Sequence, residues 1–140
     1  MDIRILYLSI VLIALAVFSC KEEVIEVDCG ANSLCTTEEF VTITLEIATC
    51  EGEPVVLDDF YTFSDSKKRF EFQLTDAMKA TGLYLVITDS ELSELEREGT
   101  SLIFIGEKNG KNLVEHQMVI GHDCCHVQLI EGEKKIIVEE

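Results

Sequence analysis

Strict two-residue alternation of apolar and polar side chains constrains this chain more than any other feature. Val41, Ile43, Leu45 and Ile47 alternate with Thr42, Thr44, Glu46 and Ala48, and Phe70, Phe72 and Leu74 alternate with Arg69, Glu71 and Gln73. Successive side chains of a strand point to opposite faces, so a run of this kind buries one face and wets the other only as β-structure. Val55 to Phe63 continues in extended form, Leu83 to Thr88 is a compact apolar strand, and Leu102 to Ile105 is apolar on both sides, as a central strand would be. Asn109-Gly110 supplies the residue pair that tolerates two successive positive φ angles, which predicts a tight hairpin with Leu113 to Ile120 as the returning strand. Cys124 to Ile130 and Lys135 to Glu139 complete the set, separated by a turn at Glu131-Gly132-Glu133. Helical signals are brief. Thr75 to Ala80 makes at most one turn before Gly82, and Ser90 to Glu98 predicts one short helix capped by Asp89 or Ser90 and stopped by Gly99. Few helices intervene between strands, which argues against parallel βαβ units and predicts an all-β, antiparallel sandwich of seven or eight strands with one short helix.

The first residues obey different rules. Arg4 sits beside Asp2, Ile5 to Phe18 is almost wholly apolar, and small Ser19 precedes Cys20. That is the three-part layout of a secretory signal. Val17-Phe18-Ser19-Cys20 resembles the lipobox of bacterial lipoproteins, with Phe18 where a small or β-branched residue is usual. The resemblance implies cleavage before Cys20 and lipidation of its thiol. Several acyl chains on one residue anchor stably where a single chain is marginal. An uncleaved anchor helix is the alternative: Ile3 to Cys20 spans 18 residues, the lower limit for crossing a bilayer, but such a helix has no use for Ser-Cys at its end. Lys21-Glu22-Glu23 resembles the export signal of surface lipoproteins in the Bacteroidota. It implies a lipid-anchored, surface-exposed position on the outer membrane. The expected organisation is a signal peptide over residues 1–19, a lipidated tether over 20–39 and a sandwich domain over 40–140.

Charge narrows the partners. The chain carries 27 acids against 11 bases, a formal net charge of −16. Such a surface repels phosphate backbones and anionic head groups, which excludes nucleic acid and leaves the lipid on Cys20 as the membrane contact. No dense Asp/Asn/Gly calcium loop accompanies the acids.

Two further motifs carry a resemblance. Gly52-Glu53-Pro54-Val55 and Gly82-Leu83-Tyr84-Leu85-Val86 resemble the G-x-P-V and G-x-Y turns of transthyretin-like and carboxypeptidase-regulatory-like β-sandwiches. Those families usually place Asp or Asn shortly before the first glycine, where this chain has Cys50-Glu51. The resemblance implies an immunoglobulin/transthyretin-like sandwich, although the chain contains no tryptophan to pack on a disulfide as in antibody domains. Gly121-His122-Asp123-Cys124-Cys125-His126-Val127 resembles the ending of small Bacteroidota lipoproteins of this shape and implies no particular activity.

Lipidation of Cys20 reduces six cysteines to five disulfide candidates, Cys29, Cys35, Cys50, Cys124 and Cys125. Outside the cytoplasm these allow two bridges and one thiol. If Cys124 and Cys125 lie in a strand they face opposite ways. Cys125 then shares the core face of Val127 and Leu129. The expected pairing joins Cys124 or Cys125 to Cys50, and Cys29 to Cys35 or to the other C-terminal cysteine. His122, Cys124, Cys125 and His126, with His116 on the preceding strand, also form the one constellation able to bind zinc or copper. Two facts weigh against it. Thiols exported to an oxidising compartment tend toward disulfides. His122 and His126 would stand about 13 Å apart on an extended segment unless Gly121-His122-Asp123 bends it.

Catalytic signatures are missing. There is no Gly-x-Ser-x-Gly elbow, phosphate loop or His-Glu-x-x-His helix. Cys124-Cys125 lacks the two-residue spacing of redox dithiols. Asp58 and Asp59 point apart on a strand, and Tyr61 and Tyr84 are expected to finish the core. The sequence therefore predicts a non-enzymatic binding or structural module presenting sandwich-end loops to a protein or glycan. A zinc- or copper-binding envelope protein is the alternative.

Overall fold

A computed structural model describes Cys35 and residues 40–139. The expected signal peptide, the expected lipidation site at Cys20 and the bridge candidate Cys29 lie outside the described residues. Eight strands follow in order: β1 (Thr42–Thr49), β2 (Asp59–Ser64), β3 (Arg69–Phe70), β4 (Leu83–Thr88), β5 (Thr100–Lys108), β6 (Lys111–His122), β7 (Val127–Glu131) and β8 (Lys135–Val138). They form a three-stranded sheet of order β4-β1-β8 and a five-stranded sheet of order β3-β2-β5-β6-β7. The fold is an all-β sandwich.

Local chemistry explains the elements. β5 and β6 form the predicted hairpin, with Asn109 at φ 53° and Gly110 at φ 71° between Lys108 and Lys111. Thr75 caps a four-residue helix, α1 (Asp76–Lys79), accepting from the Met78 N–H. The second helical segment is a 3-10 helix, Asp89–Glu94, and not the longer helix predicted from Ser90 to Glu98. Among the described residues two short helical segments thus stand where one was expected. Thr88, not Asp89 or Ser90, is its cap: the Thr88 hydroxyl accepts from Ser90 N–H while Glu91 accepts from Thr88 N–H. This leaves the Asp89 carboxylate free for other partners.

Three further expectations are corrected. The sandwich is not wholly antiparallel, because β8 runs parallel to β1, with Glu46 opposite Lys135 and Thr49 opposite Val138. The chain crosses from the five-stranded sheet to the three-stranded one at the turn after β7, so β8 arrives beside β1 in the same direction. The alternation from Phe70 to Leu74 yields only a two-residue strand; Phe72 and Leu74 pack on the core from an irregular segment. Residues 123–126 form a turn, so β7 starts at Val127 and the adjacent cysteines are not strand residues.

Inward residues of both sheets form one core. Leu45, Ile47, Tyr84 and Val86 face Leu102, Phe104, Met118 and Ile120, all essentially without solvent contact. Phe60 meets Tyr84 edge-on with ring centroids 5.1 Å apart, and both lie 6.1 Å from Phe104. The two sequence motifs meet beneath this cluster. The Tyr84 hydroxyl donates to the Val55 carbonyl (2.8 Å) and accepts from the Leu57 N–H (2.7 Å), so a buried phenol satisfies the backbone of an irregular segment. Gly82, at φ +69°, lies so close to the turn that an added Cβ would stand 2.6 Å from the Ile47 carbonyl and 3.1 Å from the Pro54 side chain. Only glycine meets both demands there.

Candidate functional site

Most of the candidate chemistry converges on one corner, where β6 ends, β7 begins and the chain enters β1. Asp123 shapes the turn. Its Oδ1 accepts from the N–H groups of Cys125 (3.0 Å) and His126 (2.8 Å), and its Oδ2 accepts from Gln128 (2.8 Å). The Asp123 N–H donates back to the His126 carbonyl at 3.2 Å. Cys124 sits at φ 84°, its N–H donating to His122 Nδ1 at 3.1 Å. The side chain of Asp thus replaces strand pairing, which is why the predicted strand starts three residues late.

Asp89 ties this turn to the rest of the fold. Its Oδ2 accepts from the Val41 N–H and lies 2.8 Å from His126 Nδ1, while its Oδ1 accepts from the Val127 N–H at 2.8 Å. The Asp89 N–H donates to the Val41 carbonyl (3.1 Å), closing a reciprocal pair with the entry to β1. One carboxylate, 10% exposed, therefore joins three chain segments. Burial pushes its pKa up, but the hydrogen bonds from His126, Val41 and Val127 outweigh burial and hold it below the ordinary carboxylate value. Asp123 is also held low, chiefly by the His126 N–H, against the opposing effect of burial.

Covalent bonds complete the corner. Cys125 is bonded to Cys35 across a sequence separation of 90 residues, and Cys124 is disulfide-bonded as well. Cys50, expected to pair with one of them, is an exposed free thiol. Its strand ends at Thr49 on the three-stranded sheet, and the turn at Gly52 directs it outward.

The histidines part company. His116 places Nε2 3.0 Å from the Glu133 carbonyl oxygen, His122 receives the Cys124 N–H and His126 meets Asp89. With both sulfurs in disulfides, the thiolates required of a zinc or copper site at Cys124 and Cys125 are absent. Among the described residues no group of three or more His, Cys, Asp or Glu side chains is placed to hold a metal ion.

A second candidate lies on the outer face of the five-stranded sheet. Tyr84 finishes the core as predicted, whereas Tyr61 lies outside on β2, opposite Ile105 of β5, with Phe63 opposite Ile103. The Arg69 guanidinium stacks 3.6 Å over the Tyr61 ring, and Arg69 Nε binds Glu71 at 2.6 Å. The Tyr61 hydroxyl donates to Glu107 (2.9 Å), and that hydrogen bond raises its pKa. The result is a half-exposed aromatic platform with both charge signs at its rim, beside a cleft of about 290 Å³ bounded by Asp59, Arg69 and Leu74. Asp58 and Asp59 do not converge: Asp58 accepts from the Asn109 N–H at 2.6 Å, and Asp59 from Phe60 at 2.9 Å.

The clamp at Asp89 and the lid that Arg69 forms over Tyr61 were not legible in the sequence. Neither has a local signature, since the partners of Asp89 lie 37 to 48 residues away in the chain. Compared with protein families, curated proteins and solved structures, the chain matches none of them.

Proposed function

We propose that this chain is an exported lipoprotein, anchored through lipid on Cys20 at the outer face of an outer membrane, where the sandwich serves as a non-enzymatic binding or structural module. The observation that carries the reading is the oxidised state of the corner. Cys35 is covalently bonded to Cys125, a pairing that persists in oxidising compartments and is rare in reducing ones. It agrees with the secretory layout of residues 1–19 and the Ser19-Cys20 boundary.

The disposition of reactive side chains supports a non-catalytic role. Asp89, Asp123 and His126 are engaged in backbone and side-chain bonds that hold the turn, and two C-terminal sulfurs are locked in disulfides. The packing of Gly82 against the Gly52–Pro54 turn supports kinship with transthyretin-like sandwiches. A protein or glycan ligand would meet the sandwich-end loops. The net charge of −16 disfavours anionic partners there.

Labelling cells of a lipoprotein-processing bacterium with a palmitate analogue, followed by protease treatment of intact cells, tests the proposal. The wild-type chain is expected to carry label and to lose its sandwich to external protease. Cys20→Ser should carry none and leave the membrane fraction. Equal membrane retention of both proteins without label would contradict the anchor.

A further inference from the structure

Among the described residues the three-stranded sheet ends in an open edge, and the sequence of that edge is its own charge complement. β8 is the terminal strand of the order β4-β1-β8, and Ile137 on it is 54% exposed. Such an edge presents unpaired N–H and C=O groups and is ordinarily blunted by charge. Here the flanking charges have opposite signs: Lys134-Lys135 precede Ile136-Ile137-Val138, and Glu139-Glu140 follow. Flanks of one sign would repel a second copy. Flanks of opposite sign attract one in antiparallel register and repel one in parallel register.

We propose that β8 pairs antiparallel with β8 of a second copy of this chain, about a two-fold axis through Ile137. In that register Lys135 stands opposite Glu139, Ile136 opposite Val138, and Ile137 opposite itself. The backbone permits it. Lys134 gives its carbonyl to Glu46 of β1 at 2.8 Å, so by alternation Lys134, Ile136 and Val138 face β1 while Lys135, Ile137 and Glu139 face the open edge. All three open-edge residues then fall in hydrogen-bonded pairs of the new ladder.

Side chains agree with this register. Directly opposed residues of an antiparallel pair project to the same face. Lys135, Ile137 and Glu139 are exposed, so they would form one outer row of Lys–Glu, Ile–Ile and Glu–Lys pairs. Ile136 and Val138 already pack against the core and would extend it across the junction. Lys135 binds Glu46 at 2.7 Å within its own copy, both side chains being about half exposed, and Glu139' would be its second carboxylate. The product is a continuous six-stranded sheet built from two three-stranded ones, closed by an isologous contact that cannot propagate.

The test uses the full-length chain in a Cys50→Ser background, which removes the exposed free thiol. Ile137→Cys should form a disulfide-linked dimer under mild oxidation. Leu83→Cys, exposed on β4 at the far edge of the same sheet, should not. Adding Lys135→Glu to Ile137→Cys should reduce the linked fraction at least several-fold, and adding Glu139→Lys to that variant should restore it. Restoration distinguishes pairing from damage, because the swap does not repair the contact between residue 135 and Glu46. Circular dichroism checks that each variant keeps its fold. Comparable linkage at Leu83 and Ile137, linkage unaffected by Lys135→Glu, or no recovery in the charge swap would each overturn the proposal.

Discussion

Half-buried Asp89 and fully buried Thr62 are polar residues in opposite states of satisfaction. Asp89 is fully used, with three close hydrogen-bond partners from two distant segments. Asp89→Asn replaces a charged acceptor with a neutral amide whose N–H₂ faces donors, and should cost about 1–3 kcal/mol in denaturant unfolding. The pH dependence has a definite sign. The native pKa of Asp89 is depressed, so its stabilisation is complete above the unfolded value of about 3.9 and is lost as pH falls below that through the native value. Asp123 adds a contribution of the same sign. Acid unfolding of Asp89→Asn should therefore be less steep below about pH 4 than that of the wild type. Thr62 is the reverse case: its side chain is wholly buried and its hydroxyl has no hydrogen-bond partner among the described residues. Thr62→Val removes that desolvated hydroxyl at nearly constant volume, and an increase in unfolding free energy of about 1–2 kcal/mol is expected.

At the scale of elements, what was legible in the sequence followed from local rules. Alternation marked β1, and Asn109-Gly110 marked the β5–β6 hairpin, because period and turn geometry act within a few residues. The errors arose where distant partners decide. Cys124 to His126 reads as strand, but Asp123 folds it into a turn using three hydrogen bonds of its own. Phe72 and Leu74 alternate correctly yet find no neighbouring strand among the described residues. Cys50 was a reasonable bridge candidate by count alone, but pairing depends on which segments meet, and the chain before β1 reaches the β6–β7 turn instead. The Cys35–Cys125 bridge closes a long loop, which restricts the unfolded chain strongly. A Cys35→Ala/Cys125→Ala variant should lose about 2–4 kcal/mol of stability. Amide exchange should rise most around Val41 and Val127, which share the Asp89 clamp with that corner.

The molecule as a whole joins a sandwich, a covalently fixed corner and a strongly acidic surface to an N-terminal run with the layout of an export signal. Each part has a physical reason in a lipid-tethered protein. The lipidation we propose would hold the chain at a membrane that its charge would otherwise repel. The disulfide at Cys35 would then transmit that attachment to the body close to the point where the chain enters β1. Self-pairing at β8 would add a second level of organisation without using the corner or the aromatic platform. Mass spectrometry of the N-terminal peptide from protein purified out of native membranes bears most directly on this account. The peptide should begin at Cys20 and carry the mass of a diacylglyceryl group on sulfur. A peptide beginning at Met1, or one containing an unmodified Cys20, would contradict it.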